Sequence, residues 1–248
     1  VSRRAETLSI YARIGRTYLG WAPSLLLVAA IVFVPLGLLH AIALESQLDS
    51  LGFSSGFELL TTAGAVLALS ATGLVGEVFY TGAVSIALTH PHGGRPPSLR
   101  QIAGMISYGP LIAIDLIYGA LVAVGLVLFV VPGVLAFVWL GLAAPLVEIE
   151  RHGVREAFAR SARLVRGKFG VVALVLLPIE LLGDGLTGLS ASLAHGLLPG
   201  ELLSEWLADT LANVAFTPFY AVAAVTIAVD RIREKDGGRV DLHSRPAQ

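Results

Sequence analysis

Long apolar runs without a single lysine or arginine alternate along this chain with short polar connections. Six such runs stand out, at about residues 19–44, 57–89, 106–130, 134–148, 169–193 and 203–229. Most match or exceed the length an α-helix needs to cross a hydrocarbon core of roughly 30 Å. The pattern predicts an all-α fold, a polytopic membrane bundle of six transmembrane helices joined by short cytoplasmic amphipathic helices. The second run is longer than a crossing requires, so it must tilt, bend or project. The fourth falls short of about 20 residues, so either its turn sits beneath the surface or its helix runs on past Glu148.

The connections carry their own periodicity. Residues 1–18 read as a cytoplasmic amphipathic helix, with Leu8, Tyr11, Ile14 and Tyr18 three or four apart and Arg3, Arg4, Arg13 and Arg16 between them. Trp21 is an interfacial anchor for the first span, and Pro35 kinks it. An acidic, Ser- and Gly-rich exit loop follows at 45–56, and a His-Pro-His-Gly-Gly-Arg-Pro-Pro loop at 90–97. Ser98 with Gln101 forms a capping box for a third short helix, whose apolar side is Leu99, Ile102, Met105 and Ile106. Val131-Pro-Gly-Val134 closes the third span into a tight hairpin with the fourth.

The segment from Arg151 to Lys168 places Val154, Phe158, Leu164 and Val165 at helical spacing and Arg155, Arg160, Arg163 and Arg166 on the other faces. A helix so divided sinks its apolar side and meets anionic headgroups with its cations, so these four arginines are the expected lipid-headgroup contacts. Residues 231–248 form a charged, Gly-containing cytoplasmic tail expected to lack order.

Composition narrows the class. With 55% hydrophobic and 14% charged residues among 248, the chain has more apolar surface than one soluble core hides. It has no cysteine, which excludes disulfides, thiolate chemistry and cysteine-ligated metals. All 17 lysines and arginines fall on one side of the six runs, whereas the opposite loops and span ends offer Glu45, Asp49, Glu58, Glu201 and Glu205. The positive-inside rule then puts both termini in the cytoplasm. Such sorted charge points to anionic membrane lipids, and not nucleic acid, as the partner of the basic residues.

An Ala-, Gly-, Leu- and Arg-rich usage with a leading Val suggests a GC-rich bacterium and hence a bacterial plasma membrane. The first apolar stretch ends around His40 and Glu45 with no cleavage pattern and is expected to remain in the mature protein. Phosphate-cradling, nucleophile-elbow and zincin motifs are all missing, so no enzymatic activity and no cofactor are expected. His90, His92 and His152 read as solvated loop residues and not as metal ligands.

The sharpest anomaly is acid inside the spans: Glu77 in the second, Asp115 in the third, Glu180 and Asp184 in the fifth. Counted from the expected cytoplasmic ends, Glu77, Asp115 and Glu180 lie roughly 14 to 18 Å deep at about 1.5 Å per residue. Burial at that depth costs several kcal/mol unless the group is protonated, hydrogen-bonded or facing water. Tyr80 and Thr81 are the expected partners of Glu77, and Tyr118 that of Asp115. Pro145, Pro178 and Pro218 deprive the carbonyls of Gly141, Leu174 and Val214 of their helical donors, and such carbonyls beside acids suit a proton or cation. The bland alternative is a kinked bundle in which acids hydrogen-bond across helices as packing elements.

Val131-Pro-Gly-Val134, Ala144-Pro-Leu146, Glu148-Ile-Glu150, Gly153, Ala157-Phe-Ala-Arg-Ser161 and Leu164-Val-Arg-Gly167, with the later Pro218-Phe219 and Asp230-Arg-Ile-Arg233, form a familiar order. It resembles the polytopic membrane-domain family found fused to some glycerophosphoryl diester phosphodiesterases and also alone in bacterial inner membranes. The resemblance implies a six-helix membrane domain without a catalytic role, because the phosphodiesterase domain and its motifs are not in this sequence. The leading expectation is a non-enzymatic membrane module that interacts with lipid, a membrane-protein partner or a second copy. The alternative is a small proton- or cation-coupled transporter or channel that uses the intramembrane acids.

Overall fold

The computed structural model describes residues 3–48, 76, 80–89, 98–198 and 200–237. In chain order its helices are α1 (Arg3–Leu48), α2 (Tyr80–Thr89), α3 (Leu99–Met105), α4 (Tyr108–Leu128), α5 (Val130–Leu140), α6 (Ala143–Glu150), α7 (Val154–Val165), α8 (Phe169–Leu197) and α9 (Glu201–Asp236). Among the described residues there is no strand. Also among the described residues, five stretches are long and apolar enough to cross a membrane: Ala5–Leu38, Tyr108–Leu126, Val130–Glu150, Phe169–Leu197 and Leu202–Lys235. The 45–56 loop beyond Leu48, most of the second apolar run, His90, His92 and the tail from 238 lie outside the described residues.

Prolines mark the starts of three of these helices. Pro110, Pro132 and Pro145 each occupy the third position of a helix, in α4, α5 and α6. The first turn leaves its N–H groups without helical partners anyway, so a proline there costs no hydrogen bond. The turn between α4 and α5 is therefore not Val131-Pro-Gly-Val134, as the sequence led us to expect. Phe129 makes it alone, in extended backbone (φ −160°, ψ 136°), and Pro132 and Gly133 fall in the first turn of α5. Hairpin closure depends on two glycines: a Cβ on Gly125 would lie 2.7 Å from the Cα of Gly133.

The fourth run does continue past Glu148, to Glu150, but it is broken at Gly141–Leu142. Ser161 of α7 spans the break. Its hydroxyl donates to the carbonyl of Trp139 at 2.7 Å and accepts from the amide of Leu142 at 3.3 Å.

The expected surface helix at 1–18 is not a separate element. It runs straight into the first span as α1, because Ile10, Ile14, Thr17, Trp21, Leu25, Ala29 and Phe33 make one buried stripe at steps of three and four. That stripe packs on α9 and α8. Within α9, Ala221 to Val229 are buried on every side, which marks this helix as the centre of the bundle. A second cluster joins Ile86 of α2, Ile102 of α3, Leu111 and Ile114 of α4, Val147 of α6 and Ala157 of α7. The Ser98–Gln101 capping box forms as expected.

The chain past Asp230 was expected to be loose, but α9 persists to Asp236. Asp230 forms a two-pronged pair with Arg13, while Arg231 is 7% exposed, donates to the carbonyl of Leu164 at 3.2 Å and pairs with Glu234. Lys168 pairs with Glu6, and Lys235 donates to the carbonyl of Arg163. These contacts gather the start of α1, the end of α7, the start of α8 and the end of α9 at one end of the bundle.

Candidate functional site

The inward face of α4 is Leu111, Ile114, Asp115 and Tyr118, at steps of three, one and three, while Ile112, Leu116, Leu121 and Val124 are exposed on its outer side. That register carries Asp115 inward. It is 1% exposed, and neither carboxyl oxygen has a hydrogen-bond partner among the described residues. The expected tie to Tyr118 is not made. The Tyr118 hydroxyl instead lies 3.4 Å from the Phe137 carbonyl, a weak donor contact.

Asp115 lines a cavity of about 240 Å³ between α2, α4, α5, α6, α8 and α9. Glu180 of α8 lines the same cavity, with Thr81, Tyr118, Phe137 and Tyr220. The phenyl ring of Phe137 stands between the two tyrosines, with centroid distances of 6.2 Å to Tyr118 and 6.3 Å to Tyr220. Gly141 also contributes to the wall, at the break between α5 and α6. Two acids from different helices and a backbone interruption thus meet at one mostly apolar space.

Glu180 and Tyr220 line a second, smaller cavity of about 50 Å³ as well, with Thr187, Asn213, Phe216 and Thr217. Asn213 donates to the carbonyl and a carboxylate oxygen of Asp209, both at 3.0 Å, and Thr217 donates to Asn213 at 3.3 Å. Asp209, Asn213 and Thr217 are four apart on α9, a polar stripe in an otherwise apolar helix. This stripe was legible in the sequence as an i, i+4, i+8 series, and Asp209 is a further acid inside the sixth run that the sequence reading omitted. A volume of 50 Å³ is enough for one or two waters.

The other residues singled out from sequence are placed as follows. Glu77 lies outside the described residues, and Asp184 is within α8 with its side chain likewise outside them. Of the residues opposite prolines, Gly141 lines the cavity, whereas the carbonyl of Leu174 accepts from the Tyr11 hydroxyl at 2.9 Å. Tyr80, expected beside Glu77, donates to the Leu25 carbonyl at 2.8 Å.

Arg155, Arg163 and Arg166 are exposed along α7 and its C-terminal end. Arg160 is not with them. Its guanidinium grips Glu150 with two hydrogen bonds of 2.9 and 2.8 Å, and its side chain is only 16% exposed. The neighbouring Glu148 is fully buried, accepts from the Ser107 amide at 2.7 Å and pairs with Arg151 at 3.1 Å. Arg151 itself, at φ 56°, ends α6 and donates to the Met105 carbonyl at 2.7 Å. Glu148 and Glu150 therefore lock α6 to α4 and α7. The sequence signal was two acids directly ahead of Arg151 at the end of an apolar run. Among the described residues no three His, Asp or Glu side chains converge as metal ligands. Comparison with protein-family models, with curated proteins and with solved structures finds no match to this chain.

Proposed function

We propose that this chain is a six-span protein of a bacterial plasma membrane, with both termini cytoplasmic, and that it takes up a cation within the bilayer at Asp115 and Glu180 without enzymatic activity. The single observation that carries the reading is Asp115: a carboxyl group buried to 1% exposure, without a protein partner among the described residues, in the same cavity as a second acid. A carboxyl group that served only as packing would be hydrogen-bonded across helices, since leaving one unmatched in an apolar interior is costly. The polar series Glu180, Asn213, Thr217 and Asp209 supports a path onward along α8 and α9. The five apolar stretches, with α2 as the end of a sixth, support the span count. The family resemblance belongs to the same proposal and adds no residue role.

The test is flux in proteoliposomes under imposed H⁺, Na⁺ or K⁺ gradients. The wild type is expected to carry at least one of these ions, and Asp115→Asn to lower that flux by about tenfold or more, in line with the several kcal/mol tied to an intramembrane charge. A wild type without flux, or an Asp115→Asn variant with undiminished flux, overturns the reading. Orientation is read separately. The cysteine-free background makes any introduced thiol unique, and Arg155→Cys should label only from the cytoplasmic side.

A second reading is supported by the exposed cations of α7. Ala157, Ser161, Leu164 and Val165 are buried against the bundle while Arg155, Arg163 and Arg166 face outward, the division suited to holding anionic headgroups at the cytoplasmic surface. The two readings concern different ends of the molecule and are compatible.

A further inference from the structure

Resting on the cation reading, we infer that the occupant of the Asp115 cavity is an organic monovalent cation, an amine carrying an apolar body of roughly aromatic size, and not a bare metal ion. Size is the first argument. A cavity of about 150 Å³ holds benzene, so one of about 240 Å³ has room for about nine or ten non-hydrogen atoms. Calcium or magnesium takes about six to eight oxygen ligands at roughly 2.0–2.6 Å, and a lining of mostly hydrocarbon does not supply such a shell.

The walls give the second argument. Ile114, Val122, Leu126, Leu140 and Ala144 line the space with hydrocarbon, which solvates an alkyl or aryl group but offers nothing to a bare ion. Tyr118, Phe137 and Tyr220 add three ring faces or edges in a row, the setting in which an ammonium gains cation–π attraction.

Asp115 supplies the third. Its two oxygens, unpartnered among the described residues, are acceptors that an ammonium N–H can satisfy directly, one charge against one charge. Glu180 borders both cavities, and the smaller one is too narrow for such a body. The amine therefore sits on the Asp115 side, and the Glu180–Asn213–Thr217 side is left to water or protons.

The test uses the purified full-length chain in detergent, with phenethylamine as the cationic probe and 2-phenylethanol as its neutral counterpart of equal size. Thermal shift and equilibrium binding should register phenethylamine and not the alcohol. Asp115→Asn should abolish the response, and Phe137→Leu should weaken phenethylamine about three- to tenfold. The Phe137→Leu variant keeps the result interpretable if Asp115→Asn fails to fold. Equal binding of amine and alcohol, or amine binding untouched by both substitutions, overturns the inference. Asp115-dependent flux of H⁺, Na⁺ or K⁺ without any amine binding also overturns it while the cation reading stands. Asp115-dependent amine binding without ion flux upholds the inference and removes the permeation reading instead.

Discussion

The hydroxyl of Tyr11, near the start of α1, donates at 2.9 Å to the carbonyl of Leu174 in α8, the acceptor that Pro178 leaves without its helical donor. A side chain from one helix thus repairs the defect that a proline makes in another. Tyr11→Phe is expected to cost about 0.6–1.5 kcal/mol of stability. The same substitution in a Pro178→Ala background should cost clearly less, since an alanine at that position restores the missing backbone donor. A double-mutant cycle by thermal unfolding checks this, and equal costs in the two backgrounds would refute the link.

Ser161 performs a related task at the break between α5 and α6. Ser161→Ala removes both the donor to Trp139 and the acceptor for Leu142, in a place where Ser161 and Leu142 are fully buried. The expected loss is about 1–3 kcal/mol. Hydrogen exchange at the Leu142 amide should accelerate in step, and an unchanged exchange rate there would show that the hydroxyl does not hold the break.

The arginines of α7 should separate into two groups. Arg160→Gln breaks a part-buried bidentate pair with Glu150 and is expected to lower stability by about 2 kcal/mol while leaving lipid preference intact. Exchanging Arg155, Arg163 and Arg166 for Gln should do the opposite, reducing retention of anionic lipid on the purified chain in a salt-sensitive way with little effect on unfolding. Native mass spectrometry of retained phosphatidylglycerol and a thermal melt on the same samples distinguish the two. Loss of anionic lipid on Arg160→Gln alone would undo the division.

Much of the fold is legible along the chain. Apolar length announced the spans, and Ser98 and Gln101 announced the start of α3. Of the stripe read at Val154, Phe158, Leu164 and Val165, the last two are fully buried and the first two partly, but against the bundle and not, as expected, in lipid. Proline positions were harder. Pro132 was read as a turn and Pro145 as a kink because sequence alone does not say which residue will be the first of a helix, and the cost of a proline depends on that. Arg160 shows the same limit for charge. Its spacing with Arg155, Arg163 and Arg166 describes a basic helix, but Glu150, ten residues away, decides that it points into the protein.

By itself, then, the sequence determined the apolar helices long enough to span a membrane and the acids that sit among hydrocarbon, because burial of apolar length and exclusion of charge are local costs counted along the chain. Only the tertiary structure decided that Asp115 and Glu180 share a cavity, that Tyr118 turns to Phe137 and not to Asp115, and that Tyr11 reaches Leu174. Those outcomes depend on the rotation of each helix about its axis and on partners more than a hundred residues apart in the case of Tyr11, and no local pattern encodes them.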